Sequence, residues 1–214
     1  MAIEPVSPPQ LSGPDLRLYE LQELRMLPPL PEQVAGMLTA ESIAALVGKS
    51  GAGKTFVALS LALSIASGRA FFGRPVQQSA VLYIAAEGQQ TLINRIDAAL
   101  SAWGIEADPP IYVMRHVFDL MTAEDVERVC AAIESQGVRP GLVVLDPLAS
   151  FVAGSTDRMA DIAAMNRTGL IAMRDRLRAT ILLVVHAGWE GERERGSSHL
   201  RDIMDTTILV TAKE

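Results

Sequence analysis

The chain has 214 residues, of which 49% are hydrophobic, and its formal net charge at pH 7 is −6. This length suits one α/β domain with a full core, and the apolar content excludes a disordered chain. The excess of acidic residues excludes a general basic surface, so any contact with nucleic acid has to be local. We predict neither a membrane-spanning segment nor a signal peptide and therefore expect a cytoplasmic protein. The single cysteine, Cys130, excludes an internal disulfide and is predicted to lie in the core.

Residues 1–38 are predicted to form an N-terminal arm. Seven prolines lie in this segment, and they interrupt any long helix. Only a short helix near 16–25 remains as a candidate. The arm is therefore predicted to precede the main domain, which we place at residues 39–214.

The stretch from Gly48 to Thr55 matches the phosphate-loop pattern of a glycine, four residues, Gly-Lys and Ser or Thr. In this pattern backbone N–H groups surround nucleotide phosphates, Lys54 points at solvent or ligand and reaches the terminal phosphates, and the Thr55 hydroxyl binds Mg²⁺. An apolar strand precedes the loop and an apolar helix is predicted at 56–67. We therefore predict ATP and Mg²⁺ as ligands. The predicted nucleotide-binding residues are Gly48, Lys49, Ser50, Gly51, Ala52, Gly53, Lys54 and Thr55.

After the loop, apolar strand patterns alternate with helical patterns, which is typical of a parallel sheet. Strands that are apolar throughout need helices on both of their faces. We therefore predict an α/β fold with a mostly parallel, twisted sheet between two layers of helices. The predicted strands are 42–47, 80–86, 111–114, 142–145, 180–185 and 207–210. The predicted helices after the one at 56–67 are 91–103, 123–136 and 159–177.

Glu87 follows the second of these strands. In parallel α/β sheets the ligand binds beyond the carboxyl ends of the strands, so a polar residue at such an end is a candidate site residue. Glu87 is predicted to be the general base that orients or deprotonates water for attack on the γ-phosphate. A solvated acid at the start of a loop is the alternative, and Asp119 and Asp157 are then the next candidates for the base.

Asp146 follows the apolar strand at 142–145. At this position a carboxylate holds Mg²⁺, either directly or through water, and we predict this role for Asp146. An acid that ends a buried strand can also cap the next helix. Pro147 follows directly, and the phosphate loop lies upstream, so we favour the metal role.

His186 follows the strand at 180–185, where an imidazole could sense the γ-phosphate and pass its presence to the following loop. A hydrogen-bonded structural histidine is the alternative. The following loop, 188–199, is polar and contains several charged residues. Its arginines Arg193 and Arg195, together with Arg201, form either a solvated patch balanced by glutamates or an arginine finger that reaches a neighbouring subunit.

Together these motifs resemble the RecA-like ATPases of the RepA type, which include hexameric replicative helicases of plasmids and phages. The residues that carry the resemblance are the phosphate loop, Ala85-Ala86-Glu87-Gly88, Asp146-Pro147-Leu148, Val185-His186 and Arg195-Gly196-Ser197-Ser198-His199-Leu200-Arg201. The similarity covers about 28–211. It implies a ring-forming ATPase with nucleotide at subunit interfaces, in which Glu87 is the catalytic base, His186 the sensor and Arg195 a finger acting in trans. It also implies single-stranded DNA and other replication proteins as partners.

The chain departs from this family in two places. Many relatives have a second histidine where this chain has Ala187. Relatives also continue beyond the position of Lys213 with further strands that bear basic residues. We therefore expect the ATPase domain to be shortened at its C-terminus.

Two alternatives to a helicase motor follow from the sequence. In the first, ATP drives dimerisation of a partition ATPase, because Lys49 resembles the signature lysine of that class. Those proteins generally have a Thr-Thr pair after the next lysine, where this chain has Thr55-Phe56, and a different acidic motif after the second strand. In the second, a recombinase-like or regulatory module binds ATP without processive work. The fold alone does not separate these functions.

Overall fold

The structure is a computed structural model, and it describes residues 18–153, 159–186 and 200–212. The chain divides into two compact units, Met1–Leu30 and Pro31–Glu214. In the first unit, helix α1 (Leu21–Met26) begins with a capping box, in which the side chains of Glu20 and Glu23 each accept a backbone N–H of the other's position. None of the α1 residues is buried. This helix overlaps the short helix predicted near 16–25.

The second unit begins with a small antiparallel hairpin of strands β1 (Glu32–Val34) and β2 (Leu38–Thr39). The sequence predicts residues 32–38 in the arm and Thr39 at the start of the main domain. Val34 and Leu38 are fully buried, so the hairpin packs onto the core of the second unit. Strands of two or three residues are too short to show a period in the sequence. The predicted domain boundary at residue 39 stays a prediction.

Six parallel strands form the central sheet. They are β3 (Ile43–Gly48), β4 (Ala80–Ala85), β5 (Ile111–Met114), β6 (Pro140–Asp146), β7 (Thr180–His186) and β8 (Thr206–Leu209). Their order across the sheet is β5-β4-β6-β7-β3-β8, and every neighbouring pair is parallel. Each predicted strand is confirmed, with ends that differ by two residues at most, which is the usual uncertainty of strand ends.

The helices of the second unit also follow the predicted order. They are α2 (Lys54–Ser67), α3 (Gln89–Trp103), α4 (Ala123–Ser135), α5 (Met159–Ala164) and α6 (Ala172–Leu177). A short 3₁₀ turn (Leu148–Phe151) follows β6, and a π-helical segment (Met165–Ile171) joins α5 to α6. The stretch predicted as one helix at 159–177 is thus helical throughout, but its middle has the wider π winding. Across the described residues, no helix has the length and apolar character that a membrane crossing requires.

The central strands are buried on both faces, and successive residues belong alternately to two hydrophobic cores. Along β3, Ala44 and Leu46 pack with α2 and the β1–β2 hairpin on one face. Ile43, Ala45 and Val47 pack with α4 and α6 on the other. Because helices cover both faces of a parallel sheet, the predicted α/β class of the RecA-like P-loop NTPases is confirmed.

Cys130 lies on α4 with 1% of its surface exposed, which confirms its predicted place in the core. Burial raises the pKa of the Cys130 thiol to about 11, although the nearby Arg176 charge lowers it. The thiol therefore stays neutral in the folded protein at any physiological pH. A neutral buried thiol is a poor nucleophile, so Cys130 serves packing.

We expect the Cys130 thiol to weaken the fold between pH 9 and pH 11. The unfolded chain releases the thiol proton near the ordinary pKa of 9.0, whereas the folded protein keeps it to about 11. Rising pH therefore favours the unfolded state across this window. Urea unfolding of the wild type and of Cys130→Ala should show a constant difference below pH 9. By pH 11 the wild type should have lost about 2 kcal/mol relative to the variant. A constant difference at all pH values would contradict this.

Candidate functional site

The loop between β3 and α2 has a backbone that only glycine adopts readily at two points. Gly51 and Gly53 have φ angles of 79° and 89°, in the left-handed region. Gly48 is required for packing, because a Cβ there would lie 2.4 Å from the backbone oxygen of Val210. The loop leads directly into α2, whose first backbone N–H groups have no partner within the helix. Such a helix start is suited to bind phosphate.

Lys54 is the first residue of α2, and only 4% of its surface is exposed. Its ammonium group donates hydrogen bonds to the backbone oxygens of Gly48 and Lys49, at 2.8 and 2.9 Å. Burial lowers the pKa of Lys54, and the negative charge of Asp146 opposes this shift. The expectation that Lys54 points at solvent or ligand is therefore corrected, because the loop itself holds the ammonium.

The carboxyl ends of the strands border a cleft of about 250 Å³. Their register brings the ends level, since Ala85 pairs with Asp146 and Gly48 pairs with His186. Four of the predicted site residues line this cleft, namely Thr55, Glu87, Asp146 and His186. They come from α2, from the turn after β4, and from the last positions of β6 and β7. The structure thus brings these four residues together, while their individual roles stay predictions.

Other predicted residues lie elsewhere. Lys49 and Ser50 are exposed in the loop, and neither is among the residues that line the cleft. Arg195 and Asp157 lie outside the described residues. Asp119 is occupied structurally, because its carboxylate accepts hydrogen bonds from the backbone N–H groups of Met121 and Ala153. Asp119 thereby ties two loops together, and it does not border the cleft.

Tyr83 lines the cleft and was missed in the sequence analysis. Its ring is buried, with 1% exposed, and its hydroxyl donates a 2.6 Å hydrogen bond to Oδ2 of Asp146. Burial, followed by the charge and the hydrogen bond of Asp146, raises the pKa of Tyr83, so the hydroxyl remains a donor at neutral pH. The sequence contained one signal for Tyr83. The strand period of two puts residues 83 and 85 on one face, and residue 85 ends the strand beside the cleft.

Arg95 on α3 is a second residue that was missed. Its guanidinium carbon lies 4.9 Å from the centroid of the exposed Phe56 ring on α2, within the range of a cation–π contact. Arg95 and Thr91 line the cleft, and they are four residues apart on one helical face. Arg95 thus adds a positive charge to a site suited to an anion. In the sequence, Arg95 looks like an ordinary charged residue on the exposed face of a helix.

The donor atoms of the cleft fit Mg²⁺. A threonine hydroxyl and a carboxylate, from Thr55 and Asp146, border the same space. Mg²⁺ prefers oxygen ligands and takes only one or two from the protein when nucleotide phosphates and water supply the rest. A phosphate loop at a helix start, oxygen donors for Mg²⁺ and a nearby acid together define a P-loop nucleotide site.

The fold and the cleft therefore define a P-loop ATPase. The model of the AAA_25 family, described as an AAA domain, matches residues 15–192, which is more than half of the chain. The chain belongs to this family. The matched region contains the phosphate loop, Glu87, Asp146 and His186 and ends before Arg195. A comparison with curated proteins found no match.

We expect Lys54→Ala to abolish most ATP binding or turnover, because it removes the cation that can meet the β- and γ-phosphates. Arg128→Ala is the control, because Arg128 is an exposed cation on α4 that does not line the cleft. Surface substitutions change free energies by about 0.5 kcal/mol or less, so this variant should stay within about twofold of the wild type. Nucleotide binding and turnover should be measured on variants whose circular dichroism matches the wild type.

Full ATPase activity in a folded Lys54→Ala protein would exclude the phosphate loop as the site of hydrolysis. Loss of activity in Lys49→Ala would have a different meaning. It would favour the partition class, in which the early lysine of the loop takes part in the reaction.

Proposed function

We propose that this protein hydrolyses ATP as a RecA-like motor and acts as a subunit of a RepA-type replicative DNA helicase. The observation that carries the ATPase proposal is the presence of Thr55, Glu87, Asp146 and His186 on one cleft next to the phosphate loop. The helicase proposal is supported by the resemblance of the motifs to the RepA type. Hydrolysis and unwinding therefore have different support, and they need separate tests.

In the proposed reaction, the backbone N–H groups at the start of α2 bind the phosphates of ATP. Lys54 turns part of its hydrogen bonding from the loop carbonyls to the terminal phosphates. Thr55 and Asp146 would hold Mg²⁺, which supplies positive charge to the β- and γ-phosphate oxygens. Arg95, on the cleft wall, adds a further positive charge close to the nucleotide.

Glu87 then acts on the attacking water. Its carboxylate orients the water and accepts a proton as the water oxygen forms a bond to the γ-phosphorus. The bond between that phosphorus and the β–γ bridging oxygen breaks in line with the attack, giving ADP and phosphate. His186 borders the same cleft and is exposed there, and we propose that it senses the γ-phosphate.

We expect Glu87→Gln to bind ATP with near wild-type affinity and to hydrolyse it roughly a hundredfold more slowly or worse, because the amide cannot accept the proton. The matched control is Glu106→Gln, which makes the same change at an exposed acid that does not line the cleft. Binding should be measured with a fluorescent ATP analogue and turnover by phosphate release. Wild-type turnover in Glu87→Gln would identify Glu87 as a solvated acid.

We further propose that the protein works as a homo-oligomeric ring, a hexamer by its resemblance to the RepA type, with Arg195 of one subunit at the nucleotide of the next. The resemblance of the segment at 195–201 supports this assignment. Single-stranded DNA and other replication proteins are the proposed partners. With a net charge of −6, contact with DNA needs a local surface such as the central channel of a ring.

Turnover per subunit should rise with protein concentration and rise again when single-stranded DNA is added. An arginine finger acts only after subunits associate and is worth about a thousandfold or more in turnover. Arg195→Ala should therefore lack this rise with protein concentration while it still binds ATP. The assays need ATP turnover with and without DNA, together with native mass measurements in a nonhydrolysable ATP analogue.

The alternatives give different results in the same assays. An ATP-dependent dimer would indicate the partition class. ATP binding with turnover that responds neither to concentration nor to DNA would indicate a regulatory or recombinase-like module. Either result would contradict the ring motor.

A further inference from the structure

We infer that Tyr83 is a positioning residue, whose hydroxyl orients the Asp146 carboxylate for Mg²⁺ in the nucleotide site. This inference rests on the proposed ATPase function and adds a residue to its metal site. Tyr83 lies on β4, whereas Asp146 ends β6, so the contact joins two neighbouring strands. It is a side-chain hydrogen bond of 2.6 Å between the Tyr83 hydroxyl and Oδ2 of Asp146.

The register of the sheet explains why this contact forms. On β4, Ala85 is the direct partner of Asp146, and Tyr83 is the partner of Val144. Because side chains alternate along a strand, Tyr83 and Asp146 point to the same face, with Tyr83 two residues further from the strand end. A tyrosine is long enough to span this diagonal with its ring buried and its hydroxyl beside the carboxylate.

Packing alone does not account for a tyrosine at this position. Tyr83 is buried, with 1% of its surface exposed, and a phenylalanine would fill nearly the same volume. The hydroxyl adds a polar atom that needs a partner in the core, and that partner is a carboxylate with 9% of its surface exposed. Hydrogen bonds to a charged acceptor are short and strong, so this one restrains the position of Oδ2 and thereby limits the rotation of the carboxylate.

The neighbouring cation does not replace this hydrogen bond. The ammonium of Lys54 interacts with Asp146 through charge, but its hydrogen bonds go to the backbone oxygens of Gly48 and Lys49. A charge attracts the carboxylate without fixing its orientation, whereas the Tyr83 hydroxyl takes Oδ2. The second oxygen, Oδ1, is then the one offered to the metal.

The expected result is a selective loss of Mg²⁺ affinity in Tyr83→Phe. Removing the hydrogen-bond partner of a metal-binding carboxylate typically weakens metal binding by about 10- to 100-fold. The binding of a fluorescent ADP analogue should be titrated first in EDTA and then with increasing Mg²⁺. Tyr83→Phe should bind the analogue like the wild type in EDTA and need roughly tenfold more Mg²⁺, or more, for half of the Mg²⁺-dependent change.

The matched control is Tyr112→Phe, which removes a hydroxyl from the neighbouring strand β5 at a residue that does not line the cleft. Its Mg²⁺ dependence should equal that of the wild type. A Tyr83 with only a packing role would weaken analogue binding equally with and without Mg²⁺, and this result would overturn the inference. Equal Mg²⁺ dependence of Tyr83→Phe and the wild type would also overturn it, while leaving the ATPase proposal intact.

A double-mutant cycle tests whether Tyr83 acts through Asp146. In an Asp146→Asn background, Tyr83→Phe should cause no further change in Mg²⁺ dependence, because the positioned carboxylate is already absent. A further loss of the same size would overturn the inference and assign the effect to another contact. If the wild type itself binds the analogue without response to Mg²⁺, the proposed function fails together with the inference. The wild-type titration alone reports that outcome.

Discussion

The burial of the central strands on both faces is the constraint on which the site depends. Residues such as Leu46 on β3 and Val144 on β6 have no exposed surface, so an uncompensated charge within these strands would be strongly destabilising. Charged side chains can therefore collect only where the strands end. Because the strands are parallel, their carboxyl ends lie at one edge, and the register of β4 with β6 and of β3 with β7 keeps those ends level.

Asp146 is an acid at the boundary between the buried sheet and the cleft, because it is the last residue of β6 and only 9% exposed. A carboxylate at that depth needs compensation. Tyr83 provides a hydrogen bond from the neighbouring strand, and Lys54 provides an opposite charge from the start of α2. The same two groups thus allow the carboxylate to remain at the strand end in the folded protein and keep it beside the cleft. Stability and the proposed metal site place the same demand on these side chains.

The sequence was sufficient to predict the parallel sheet, its six strands and four residues of the cleft, because strand ends in such a fold converge. Very short strands and side-chain contacts between different elements could not be predicted. The β1–β2 hairpin is too short for a periodic signal, and its stability comes from packing of Val34 and Leu38. Tyr83 looked like one more apolar strand residue, since its partner is 63 positions away. Arg95 has a role only because α3 packs beside Phe56.

The position of Lys54 has a consequence for how a nucleotide is bound. An ammonium group has three N–H donors. The ammonium of Lys54 donates two hydrogen bonds to the backbone oxygens of Gly48 and Lys49. The third donor can contact a phosphate oxygen directly, and turning a loop-bonded donor to the phosphate exchanges one hydrogen bond for another within a buried environment. This exchange keeps the ammonium partnered throughout, which avoids the large penalty of an unpaired buried charge. The loop carbonyls consequently hold Lys54 at the helix start, so that part of the ordering needed for phosphate binding is already present in the fold.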